Sequence, residues 1–171
     1  MKKIAVDVES ESSCRELARK FAPCLNAGHV LLLSGPLGAG KSVFCRELIQ
    51  SRQALDGLPV EDVPSPTFTL VQTYEIASCS LLHGDFYRVD CASELVELGL
   101  EDAFRTSVCL IEWPEILGDL YGKGGLSLRF TVTGDCSRRI SLEWHDSGWD
   151  GILDRAVCHQ RHEFRHELAR A

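Results

Sequence analysis

Ile4, Val6 and Val8 alternate with polar neighbours, which predicts an edge or antiparallel strand over Lys2 to Val8. Ser10, Ser12 and Ser13 offer N-caps for a helix running through roughly Leu25. Its apolar face is Leu17, Ala18, Phe21 and Leu25, and Gly28 closes it. Val30 to Ser34 is a continuous apolar run, a buried strand, and Lys41 to about Leu55 reads as a helix with Val43, Phe44, Leu48 and Ile49 inward. Asp56 to Pro66 carries Gly57, Pro59, Pro64 and Pro66 and is a loop. A β-rich segment from Ser65 to near Glu75 pairs as a hairpin with a strand over Ser80 to His83. Helices are expected from Ser93 to Leu98, stopped by Gly99, and around Glu101 to Phe104. Ser107 to Ile111 is a second continuous apolar run, the mark of a strand covered on both faces. After a glycine-rich loop, Gly118 to Gly125, two alternating segments (Leu126 to Thr133 and Arg139 to Trp144) read as antiparallel strands. The tail from about Trp149 to Ala171 reads as helix.

A chain of 171 residues suits one domain, and no repeat or linker divides it, so 1–171 is expected to be a single unit. Its net charge of -7 argues against a broadly basic nucleic-acid surface, though not against a partner that itself holds RNA. No apolar run approaches the roughly 18 residues that span a membrane. Asp7, Glu9 and Glu11 fall where a signal peptide would need its apolar stretch. The eight cysteines form no C-x-x-C pair and several sit inside apolar runs, so they are expected to be reduced in a cytoplasmic protein.

The chemistry concentrates after the first buried strand, where Gly35-Pro36-Leu37-Gly38-Ala39-Gly40-Lys41-Ser42 fits G-x-x-x-x-G-K-S. Such a loop turns the backbone N–H groups of Gly35, Leu37, Gly38, Ala39 and Gly40 inward around phosphate oxygens. Lys41 supplies a charge for the terminal phosphates, and Ser42 a hydroxyl for Mg²⁺. The following helix points its positive dipole end at the same place. A nucleoside triphosphate is therefore the expected ligand. No Asn-Lys-x-Asp tetrad supports guanine, so ATP is the default.

A metal-holding carboxylate is expected at the carboxyl end of a neighbouring strand. Glu112, after Val108-Cys109-Leu110-Ile111, and Asp85, after Leu81-Leu82-His83-Gly84, both fit, with a plain strand-exit acid as the competing reading of each. Thr67 lies in a Pro-flanked loop where nucleotide switches carry a hydroxyl, although it also suits a simple turn. His159, His162 and His166 share one face of the tail helix; interleaved charges favour a solvated face over a metal site.

These blocks, in this order, resemble the small bacterial P-loop ATPases of tRNA threonylcarbamoyladenosine biosynthesis (the TsaE/YjeE family). The matching pieces are Gly35 to Ser42, Ser65-Pro66-Thr67-Phe68-Thr69-Leu70-Val71, Asp85-Phe86-Tyr87-Arg88, Glu97-Leu98-Gly99-Leu100-Glu101-Asp102 and Ile111-Glu112-Trp113-Pro114-Glu115. They cover roughly residues 10 to 116. The resemblance implies an ATPase acting with a two-subunit threonylcarbamoyl transferase assembly (TsaB/TsaD-like) on adenosine 37 of tRNAs reading A-starting codons. The tRNA is met through that assembly. By position it implies phosphate contact at Lys41, Mg²⁺ at Ser42 and Glu112 with Asp85 nearby, and a switch-like role for Thr67. It also places Trp113 after the acid, and Glu11 or Ser12 towards the base. Pro36 stands where many members carry an acid, and Ser42 replaces a commoner threonine.

The expected architecture is an α/β, P-loop NTPase-like three-layer domain whose mixed sheet has a parallel core and added antiparallel strands. Expected activity is slow ATP hydrolysis that depends on partners, since the chain shows no obvious arginine finger. A small-molecule kinase of nucleoside type is the main rival, although its lid would need arginines where Gly118 to Gly125 offers only Lys123. A nucleotide-dependent scaffold without turnover is another.

Overall fold

The computed structural model describes residues 1–96, 98–120 and 124–157. Seven strands form one sheet: β1 (Lys2–Val8), β2 (Val30–Ser34), β3 (Val71–Glu75), β4 (Ser80–Asp85), β5 (Val108–Glu112), β6 (Leu126–Val132) and β7 (Arg138–Trp144). Their order is β1-β7-β6-β2-β5-β4-β3. β6, β2, β5 and β4 run parallel, while β7 and β1 add antiparallel strands at one end and β3 at the other.

Helices α1 (Glu11–Phe21), α2 (Lys41–Leu55) and α5 (Gly148–Val157) share one hydrophobic core with the sheet. Leu31, Leu33, Leu81, Leu110, Leu128 and Leu142 belong to it. The short helices α3 (Ala92–Val96) and α4 (Leu100–Thr106) share the other core with Val30, Cys109 and Ile111. Leu31 and Leu33 lie in one core and Val30 in the other, which is why the run is apolar throughout instead of alternating. Three layers result, as the pattern predicts.

Local chemistry sets the boundaries. Ser10 caps α1 in a capping box: its side chain accepts from Ser13 N–H, and Ser13 answers the Ser10 backbone. Ser12 takes no part in that exchange and is exposed. The helix does not run α-helical to Leu25. It tightens into a 3-10 turn, Ala22–Cys24, because Pro23 has no N–H to continue the ladder. The carbonyls of Ala22 and Leu25 accept from the buried Arg52 guanidinium at 3.2 and 2.6 Å. Arg52 belongs to the buried face of α2 with Phe44, Cys45, Leu48, Ile49 and Gln53, whereas Val43, expected inward, is only half-buried.

The strands β4 and β5 each extend to their terminal acid, past His83 and Ile111. The helix expected over Ser93 to Leu98 is described from Ala92 to Val96, residue 97 lying outside the described residues and Leu98 in a turn. A 3-10 helix, Pro114–Leu120, occupies the start of the expected Gly118 loop and breaks at Gly118 (φ 48°). Residues 158–171, with His159, His162 and His166, lie outside the described residues, so the tail helix is described only from Gly148 to Val157. Among the described residues the seven cysteines are free, and no helix is long and apolar enough to cross a membrane.

Candidate functional site

Three adjacent parallel strands end in register. Leu33 of β2 pairs with Glu112 of β5, and Glu112 pairs with Asp85 of β4. The chain leaving β2 turns into the glycine-rich loop, so that loop and the two carboxylates share one end of the sheet. Gly35 begins the turn at φ 130°, where a Cβ would stand 2.4 Å from the Phe130 carbonyl oxygen; only glycine fits. Gly40, at φ 103°, is the N-cap of α2 and has no side chain with which to satisfy the first amides of the helix. Those amides face the loop, the arrangement that binds anions.

Lys41 is buried, and its Nζ donates to the carbonyls of Gly35 (2.7 Å) and Pro36 (3.0 Å). The Trp113 ring covers the same ammonium at 4.0 Å, a cation–π contact. Trp113 adopts φ 57°, a left-handed backbone that a bulky residue takes only under constraint. Two contacts hold it there: its N–H donates to Leu33 O at 3.1 Å, and its ring lies 4.9 Å from that of Tyr87. Burial pulls the Lys41 pKa down, while Glu112, Asp85 and Glu115 push it back up.

Glu112 divides its oxygens. Oε2 accepts from Ser42 Oγ at 2.9 Å, and Oε1 lies 2.9 Å from His83 Nε2. Asp85 instead faces a loop. Its Oδ2 accepts from both Ser65 Oγ and Thr67 Oγ1 at 2.7 Å, and its Oδ1 from Tyr87 N–H at 3.1 Å. Thr67 thus reaches the Asp85 carboxylate through the Pro-flanked loop. That loop closes with Leu70 N–H donating to Pro66 O at 2.7 Å, Leu70 itself standing at φ 63°.

Leu37 to Val43, Ser65, Thr67, Asp85, Tyr87, Glu112 and Trp113 line a cleft of about 330 Å³. Lys41 is the only cation among them, against two buried carboxylates. That excess of negative charge and hard oxygen suits Mg²⁺. Ser42 Oγ and Glu112 Oε2, joined by a 2.9 Å hydrogen bond, are the hard oxygen donors that would hold it. Cys45 Sγ lies near, forming with His83 and Glu112 a buried trio whose donor atoms fall within 4.8 Å. Burial holds its thiol pKa well above the usual range.

A second cleft of about 230 Å³ opens on the other side of the loop, bounded by Ser10, Glu11, Cys14, Gly38 to Gly40, Val43, Asp135, Cys136 and Arg138. Glu11 therefore shares a cleft with the loop, and Ser12 is not among the lining residues. Arg138 donates to Gly38 O at 3.4 Å and ties the β6–β7 turn to the loop.

The structure brings together Lys41, Ser42, Thr67, Asp85, Glu112 and Trp113. Sequence reasoning missed His83, Ser65, Tyr87 and Cys45 as parts of this cluster. For His83 a signal existed: it precedes Asp85 by two, and period-2 alternation puts both side chains on one face.

The family model described as "Threonylcarbamoyl adenosine biosynthesis protein TsaE" matches residues 8–140. A protein of Rickettsia bellii named tRNA threonylcarbamoyladenosine biosynthesis protein TsaE is 39% identical over 135 residues, 79% of this chain and 91% of its own length. A protein of the same name from Bacillus subtilis is 32% identical over 144 residues, 83% and 86% of the two chains. Among solved structures, YdiB of Bacillus subtilis superposes with a TM-score of 0.75 at 24% identity, covering 92% of this chain and 96% of its own. That likeness bears on the fold, which is that of a P-loop protein.

Proposed function

The chain belongs to the TsaE family of tRNA threonylcarbamoyladenosine biosynthesis, and from that premise we propose that it is the Mg²⁺-dependent ATPase of that pathway. In this reading it works with a two-subunit threonylcarbamoyl transferase assembly that modifies adenosine 37 of tRNAs reading A-starting codons. One observation carries the proposal: a buried lysine, a loop-proximal hydroxyl and two strand-end carboxylates converge on one glycine-lined cleft. Phosphoryl transfer needs little else from a protein but position and charge.

The loop amides and the amino end of α2 cradle the phosphates. Lys41 exchanges its carbonyl partners, Gly35 and Pro36, for phosphate oxygens. Ser42 and Glu112 would hold Mg²⁺, with Asp85 beside them. When bound, Mg²⁺ neutralises charge developing between the β- and γ-phosphates. Asp85 holds the hydroxyls of Ser65 and Thr67, so whatever meets that carboxylate is felt by the 65–70 loop. Among the described residues Lys41 is the one cation of the lining, which supports slow turnover by the protein alone and a partner that supplies or orders what is missing. A cytoplasmic location accords with a tRNA-modifying role.

The test is ATP turnover by the parent and by Glu112→Gln, each alone and with the two partner subunits and tRNA. Turnover that rises with the partners and collapses in the variant is expected. Turnover that ignores the partners but follows an added nucleoside would overturn the reading in favour of a small-molecule kinase.

A further inference from the structure

His83 is fully buried on β4, two residues before Asp85, with Nε2 2.9 Å from Glu112 Oε1. Its other nitrogen, Nδ1, is buried and has no hydrogen-bond partner among the described residues. Together these facts decide which nitrogen carries the hydrogen. A ring protonated at Nδ1 alone would bury an N–H with no acceptor and turn the Nε2 lone pair against a carboxylate oxygen. Both are unfavourable, so Nε2–H donates to Glu112.

The consequence falls on the carboxylate. Glu112 is a long side chain that is free to rotate unless something holds both its oxygens. Ser42 meets one of them, but Ser42 is itself a metal-facing group and must let go when a cation arrives. His83 meets the other, from the far side and from a neighbouring strand. We propose that His83 is a positioning residue: its Nε2–H holds Glu112 Oε1 so that Oε2 stays beside Ser42 Oγ for Mg²⁺. The bonded hydrogen also withholds Nε2 from the cation, which keeps the site one of oxygen donors although Cys45 Sγ stands close by. This assignment rests on reading Glu112 as a metal ligand.

The experiment titrates Mn²⁺, as a paramagnetic substitute for Mg²⁺, into the full chain with ADP and follows free Mn²⁺ by electron paramagnetic resonance. His83→Leu keeps the volume and removes the donor, and should weaken Mn²⁺ by about 10- to 100-fold, the usual effect of losing a group behind a metal ligand. His83→Gln places an amide N–H where Nε2–H stood and should recover most of that loss; His83→Asn, whose amide falls short, should not. ADP binding in EDTA reports whether each variant is folded. A packing role makes the opposite prediction, with Leu at least as good as Gln, and that result overturns the proposal.

If Glu112→Gln keeps the parent's Mn²⁺ affinity, the metal reading itself falls. If Glu112→Gln loses affinity and His83→Leu does not, only the positioning role falls. Should His83→Leu fail to fold, the Gln and Asn pair still decides, as does nitrogen-15 NMR of the parent imidazole, where a ring protonated at Nδ1 alone refutes the assignment. Co²⁺ giving a thiolate charge-transfer band that Cys45→Ser abolishes would also overturn it, since the trio would then be a metal site in its own right.

Discussion

Asp85 and Glu112 stand side by side at the ends of neighbouring parallel strands, yet they are held in opposite ways. Glu112 is clasped by regular structure, by the first turn of α2 through Ser42 and by β4 through His83. Asp85 is clasped by a loop, through two hydroxyls two residues apart, and by the amide that follows its own strand. A carboxylate tied to rigid elements suits holding a cation in place. One tied to a loop suits transmitting a change at the cleft outward, towards the exposed Phe68 and the Arg88 guanidinium stacked 4.4 Å from its ring. The same functional group is thus fixed to rigid elements in one place, the anchor, and to a loop in the other, the sensor of the proposed reading, and its partners make the difference.

The sharpest way to break this contrast is at the anchor. Glu112→Gln should lower partner-stimulated ATP turnover by about 10²–10³-fold, the scale of losing one preorganised charge at the transition state, while nucleotide binding measured without metal persists. Phosphate release and equilibrium binding together check both halves.

At the sensor the expected loss is smaller and has a different signature. Asp85→Asn removes the charge that both loop hydroxyls address, interactions of about 1.5–3 kcal/mol each to a charged acceptor. Limited proteolysis should then cut within 65–70 faster than in the parent, whereas Glu112→Gln should leave that rate alone. Equal cutting in the two variants would erase the distinction. Thr67→Ala takes only one of the two hydroxyls and should give roughly half the loosening.

Smaller still is the effect of trimming Trp113. Trp113→Leu removes the ring over Lys41, worth about 0.5–2 kcal/mol as a cation–π contact, and should weaken ATP by about 2- to 30-fold without touching proteolysis of the loop.

The gentlest probe is thiol labelling at neutral pH. Cys91 is exposed, and hydrogen bonds from Ser93 lower its pKa, whereas burial holds Cys45 far above and Cys14 near 11. Alkylation mapped by mass spectrometry should therefore reach Cys91 long before Cys45 or Cys14. Glu112→Ala, which unseals the anchor, should expose Cys45; Asp85→Asn should not.

The anchor and the sensor were legible in the sequence to different depths. Glu112 and Asp85 could be read because an acid directly after an apolar strand has few structural reasons to be there. The three layers followed from period alone, since Val30 to Leu33 and Val108 to Ile111 are too apolar to face water on either side. His83 was not legible as a partner of Glu112. That contact needs β4 and β5 to be neighbours in register, a long-range fact that no local pattern states. Val43 was misassigned to the core because helical spacing marks a face without saying where the phosphate loop interrupts it. The positive φ of Trp113 and Leu70 had no local signal, both being residues that normally avoid it.

The pairing of β1 with β7 reaches beyond the site. Lys2 lies against Trp144 and Val8 against Arg138, so β1 joins the sheet through a strand far along the chain. Until Arg138–Trp144 has been made, Lys2–Val8 carries its ladder unmet. Contacts of such high sequence separation make the closing step slow, and they leave an edge available to other chains in the meantime. On the ribosome this protein cannot finish its sheet as it goes. It must wait for Arg138–Trp144 to emerge, and chaperone capture during that interval should involve the amino-terminal strand.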